Sequence, residues 1–162
     1  MYILKYVVIL TVFFFLQLTF IPLLAVYGIK PDIILIYVIC LSFKEGRIWG
    51  TIAGFLIGLV EDFFSAGFIG LNALTKSFTA FIAHTFPKEI FGSRVLQTGV
   101  LLFFCGFIHD FLFNLIYSLG TGIGIVHIVF RFAIPTALYT ALVGMLICAI
   151  FPGVLKFKDA RR

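Results

Sequence analysis

Long apolar stretches alternate with brief polar breaks along the whole chain. The first covers about residues 6 to 27, behind Lys5, and Pro31-Asp32 opens a second over about 31 to 46. Further stretches cover about 48 to 64, 70 to 86, 95 to 119 and 125 to 151, the last stopped by Pro152-Gly153. A helix rising about 1.5 Å per residue needs roughly 20 apolar residues to cross a ~30 Å hydrocarbon core. The pattern predicts an all-α bundle of six transmembrane helices. It forms a single membrane domain over residues 1–162, with short loops and no room for a soluble domain. The second stretch is short for a span, so Lys44 and Arg47 are expected to snorkel at its end. No small-x-small cleavage site follows the first stretch, which reads as an uncleaved helix.

The placement of Lys and Arg predicts the orientation. One set of ends carries Lys5, then Lys44 and Arg47, then Lys88 and Arg94, then Lys156, Lys158, Arg161 and Arg162, whereas the opposite loops carry Lys30 alone. Both termini are therefore expected in the cytoplasm. Composition strengthens the membrane reading: 62% of residues are hydrophobic, only 12% are charged, and there are 22 Phe. Soluble domains carry roughly 25% charged residues, and this chain cannot make a polar exterior. The net charge of +5 raises nucleic acid as a partner. The basic residues stand at the ends of apolar runs and make no stripe, which argues against it. Cys40, Cys105 and Cys148 lie inside apolar runs with no CxxC spacing; they read as buried thiols, with no metal and no cofactor expected.

Two groups of residues break the apolar pattern. Gly50, Gly54 and Gly58 share one face of the third helix, where missing Cβ atoms let another backbone approach closely. The residues leave open whether that backbone belongs to this chain, a second copy or another protein. The second group is ionisable and costly in hydrocarbon unless paired or hydrated. Glu61-Asp62 lies late in the third helix and His109-Asp110 late in the fifth. Their surroundings, Gly58-Leu59-Val60-Glu61-Asp62-Phe63 and Gly106-Phe107-Ile108-His109-Asp110-Phe111, form a weak parallel repeat. By helical rise, Asp62 and Asp110 stand ~21–22 Å above the cytoplasmic starts of their helices, and Lys76 and Arg131 ~9–10 Å below the outer edge. The expectation is one polar layer pairing Asp62 and Asp110 with Lys76 and Arg131, completed by Asn72 and Asn114. It reads either as a device that fixes helix packing or recognises a partner, or as a proton path through His109. Catalysis has little support: there is no HExxH, no phosphate loop and no nucleophile-histidine-acid spacing.

Pro31-Asp32 before an apolar run, then Gly50, Gly54-Phe55, Gly58-Leu59, Asp62 and Ser65, then Gly70-Leu71 and Ala73-Leu74, carry a family likeness. They resemble the second-helix opening, the G-x-x-x-G-F-x-x-G-L-x-x-D run and the G-L-x-A-L segment of the bacterial rod shape-determining MreD family. The resemblance implies a fold similar to the S-components of energy-coupling-factor transporters. It also implies a non-enzymatic place in the elongation machinery of the bacterial cytoplasmic membrane. The implied partners are the single-span protein MreC and, through it, MreB, RodA and a class B penicillin-binding protein. The S-component kinship keeps small-molecule uptake as the alternative. S-components dock through an Ala-x-x-x-Ala face on the first helix, and here Val12 to Phe20 is bulky throughout, which favours the scaffold. Either the glycine face or the Phe-rich first helix is then expected to meet a partner helix.

Overall fold

A computed structural model describes residues 2–65, 67–86, 93–119 and 122–150. These residues are helical, with no strand beyond an isolated bridge between Val26 and Ile29. The main helices are α1 (Tyr2–Thr19), α2 (Ile33–Glu45), α3 (Arg47–Phe64), α4 (Leu71–Ala83), α5 (Arg94–Tyr117) and α6 (Ile125–Ile150). They fall within or close to the apolar runs read from the sequence. Among the described residues two helices, Val95–Tyr117 and Ile125–Ile150, are long and apolar enough to cross a membrane. By contrast α2 and α4 have 13 residues each, about 20 Å of helix. The expected tail of Lys156, Lys158, Arg161 and Arg162, the stop at Pro152-Gly153 and Lys88 lie outside the described residues.

The α2 helix is short because it is the centre of the bundle. Ile34 through Ile39 are all buried, the mark of a helix that is apolar all round and enclosed by its neighbours. One side of it packs Leu35, Ile36, Ile39 and Phe43 against Ala83 of α4, Leu101, Leu102 and Cys105 of α5 and Ala141 of α6. The other packs Ile34, Tyr37 and Val38 against Ile57 and Ala80, with Phe13 and Phe14 of α1 closing over them. Gly46 has φ +104, a conformation that favours glycine. It lets α3 turn back directly from α2.

The glycine face of α3 is spent inside the chain. A Cβ at Gly50 would strike Ser42 of α2, one at Gly54 would stand 2.9 Å from the Lys76 carbonyl, and one at Gly58 would stand 2.5 Å from the Asn72 carbonyl of α4. This close approach places the backbone of α4 directly on α3. Polar ties also hold α4 to α2: Ser42 Oγ donates to the Ala80 carbonyl at 2.7 Å, and His84 Nδ1 meets the Ser42 carbonyl at 3.0 Å. The α1 helix is the outlying element, with Val12, Phe15 and Leu18 on an exposed apolar side.

Candidate functional site

The polar residues of the bundle gather where α2 begins, α3 ends and α4 begins. Asp32 is the N-cap of α2, where its Oδ1 accepts from the Leu35 N–H at 2.7 Å. Its own N–H donates to Thr140 Oγ1 of α6 at 3.1 Å, and the next N–H, of Ile33, donates to Gln17 Oε1 of α1 at 3.0 Å. The start of α2 is thereby fixed by side chains from two other helices. These bonds leave Oδ2 of Asp32 pointing at α4.

Lys76 meets it there. The side chain is fully enclosed at 1% exposure, and its Nζ donates to Asp32 Oδ2 at 2.6 Å. The same nitrogen lies 3.0 Å from Glu61 Oε2 on α3, in ion-pair range though outside hydrogen-bond geometry. On its third side it faces His109 Nε2 of α5 at 3.5 Å. An ammonium has three donors and no acceptor, so a hydrogen bond here requires Nε2 to accept and the ring hydrogen to sit on Nδ1. That hydrogen is directed to Asp110 Oδ1, 3.0 Å away. One lysine therefore ties α2, α3, α4 and α5 together. Removing one partner from such a buried pair costs about 3–5 kcal/mol, because an uncompensated charge is left behind.

Asp62, one residue on from Glu61, does something else. Its carboxylate accepts from the backbone N–H groups of Gly70 at 2.9 Å, Asn72 at 3.0 Å and Ala73 at 3.1 Å, and from Asn72 Nδ2 at 2.9 Å. The first turn of a helix presents unpaired N–H groups and a partial positive charge, and Asp62 of α3 supplies the acceptor that α4 lacks. Gly70, at φ +95, precedes that turn in the left-handed conformation. The spacing of Asp62, Gly70-Leu71 and Ala73 is thus one capping device written across two helices. This is the physical content of the motif that the sequence shares with rod shape-determining proteins.

A comparison with known protein families decides the relationship: the model of the rod shape-determining protein MreD matches residues 1–158. The chain belongs to the MreD family. No curated protein and no solved structure gave a match. MreD proteins are bacterial membrane proteins of rod-shape determination, a structural family and not an enzyme family.

Within this MreD chain several expected pairings fail. Asp62 does not meet Lys76, because the open end of α4 captures it first. Arg131 is exposed and joins no ion pair among the described residues. Its height follows from helical rise but its direction does not. Val129–Ala133 is a π-helical turn, and the buried side of α6 runs through Ile128, Ala133 and Ala137. Asp110 pairs with neither base and contacts its neighbour His109. Asn114 Nδ2 donates to the Asp110 backbone carbonyl at 2.7 Å and not to its carboxylate. Asn72 serves Asp62. Two contributors escaped the sequence reading of the layer. The sequence marks Asp32 only as part of the Pro31-Asp32 opening, and Gln17 is not singled out within the bulky run Val12 to Phe20. A polar group isolated in an apolar helix is the signal that finds both.

The described grooves near this layer are apolar. One, of about 280 Å³, lies between α1 and α3 and is lined by Leu10, Thr11, Phe14, Leu56, Ile57 and Val60. Another, of about 210 Å³, lies between α4 and α5 against Leu74, Phe78 and Leu112. Among the described residues no group of three His, Cys, Asp or Glu side chains converges in a way that could hold a metal ion.

Proposed function

We propose that this MreD-family chain is a six-span, non-enzymatic scaffold of the cell-elongation machinery, with both termini cytoplasmic. It binds an MreC-like single-span protein and, through it, links MreB, RodA and a class B penicillin-binding protein. The family match over residues 1–158 carries this reading. The geometry supports it in two ways. The charged residues close on one another around Lys76, as suits a fixed packing device. The glycine face is filled by α2 and α4, so it is not free for another protein.

Of the two faces expected to meet a partner helix, α1 stays open. Val12, Phe15 and Leu18 are exposed along it, and the groove it makes with α3 has the width and apolarity to take side chains from a neighbouring helix. Close side-chain packing of this kind drives helix association in lipid.

The test is co-expression with the MreC-like protein of the same cell and purification in detergent on a tag carried by this chain alone. A stable stoichiometric complex is expected, and Phe15→Ala with Val12→Ala is expected to lower partner recovery several-fold while helicity stays unchanged. Clean protein without the partner would overturn the scaffold and turn attention to small-molecule binding.

A further inference from the structure

The charges around Lys76 do not balance. Lys76 and His109 stand among three carboxylates, those of Asp32, Glu61 and Asp110, so the carboxylates outnumber the cations whichever form His109 takes. Asp110 is the least provided for. Its Oδ1 receives the His109 hydrogen, while its Oδ2 is buried without a hydrogen-bond partner in a residue only 8% exposed.

The buried hydroxyls of Thr79 on α4, itself without a partner, and of Thr140 on α6, which accepts from the Asp32 N–H, do not reach Asp110 Oδ2, and the other donors of the layer are committed elsewhere. Lys76 is spent on Asp32, Glu61 and His109, and Asn114 on the Asp110 backbone carbonyl. Asn72 is held by Asp62. From α2 the facing charged group is Asp32, from α3 Glu61 and Asp62, and from α4 Lys76. The buried side of α6 offers Ile128, Ala133 and Ala137, while Arg131 is exposed. A bare carboxylate oxygen in that place has no protein donor, a costly arrangement for a buried polar atom.

We propose that Asp110 is a proton-binding site, with the proton carried on Oδ2 and exchanged with water. On the same side-chain scale Asp110 is 12% exposed, close to the 15% of Asp32 and 14% of Glu61, whereas Lys76 is 1% exposed. Binding forms one O–H bond at Oδ2 with a proton delivered by hydronium, which leaves as water; nothing is oxidised or reduced. The bound proton removes one of the three negative charges of the layer. This inference does not depend on partner binding, because it concerns the isolated chain.

Infrared spectroscopy of the purified chain in lipid nanodiscs at neutral pH tests it, since exposed carboxyls are ionised there and give no carboxylic-acid carbonyl band. The wild type is expected to show such a band, shifted in deuterated water. The band is expected to be lost in Asp110→Asn and kept in Glu61→Gln and Asp32→Asn. Absence of the band in the wild type, its survival in Asp110→Asn, or its loss on adding sodium alone would overturn the proposal. If Asp110→Asn is not recovered folded, Asp110→Glu substitutes: the band is expected to move in frequency, and an unmoved band would overturn the assignment.

Discussion

Gly58 to Phe63 on α3 and Gly106 to Phe111 on α5 are similar in sequence, and the structure puts the two segments to opposite uses. In each, the glycine faces the next helix, and the residue before the aspartate turns toward Lys76: Glu61 at 3.0 Å, His109 at 3.5 Å. The aspartates then diverge. Asp62 gathers four N–H donors, whereas Asp110 Oδ2 has none. The reason lies beyond the repeat. The α3 helix stops at Phe64, so the first turn of α4 comes back onto Asp62. The α5 helix continues to Tyr117, two turns past Asp110, and no helix start arrives there. The glycines differ in degree as well: a Cβ at Gly58 would stand 2.5 Å from backbone, and one at Gly106 would stand 3.4 Å away. The role of an aspartate late in an apolar helix of this bundle therefore depends on where the next helix begins.

Substitutions can break this comparison or sharpen it. The largest effect is expected from Lys76→Met, which strands Asp32 and Glu61 together: a loss of about 3–5 kcal/mol in a detergent unfolding titration. Gly58→Ala follows. It drives a methyl into the backbone of α4, and a loss of about 2–3 kcal/mol is expected, as for overpacking of a tight contact. Gly106→Ala, its counterpart, needs a shift of tenths of an ångström and is expected to stay within about 1 kcal/mol of wild type. Asp62→Asn exchanges an acceptor for a donor before the open N–H groups of α4 and is expected to cost about 1–3 kcal/mol. Asp110→Asn is expected to be neutral or slightly stabilising, within about 0.5 kcal/mol. Equal losses for the two Asp→Asn variants would contradict the division of roles.

Much of this was legible in the sequence, for definite reasons. A constant rise per residue fixes height, so the apolar runs located the helices and brought Asp62, Asp110, Lys76 and Arg131 to one level. Height does not give direction around a helix. Arg131 was placed at a suitable depth and points away, since the π turn shifts the face that α6 presents. Charge pairing by depth also overlooks backbone donors, which is why Asp62 was expected on Lys76 and is found on Gly70, Asn72 and Ala73. The glycine run was recognised as a packing face, but only the return of α4 over α3 shows that its partner is internal. Asp32 was noticed as the opening of a helix; its second oxygen, aimed at Lys76, is a consequence of tertiary structure alone.

The most direct test is a pair of double-mutant cycles on unfolding in detergent, Lys76→Met with Asp32→Asn and Lys76→Met with Asp62→Asn. A coupling of at least about 1 kcal/mol is expected for Lys76 with Asp32, and less than about 0.5 kcal/mol for Lys76 with Asp62. The reverse ranking would mean that Lys76 pairs with Asp62, and that neither the capping of α4 nor the layer described around Asp32 holds.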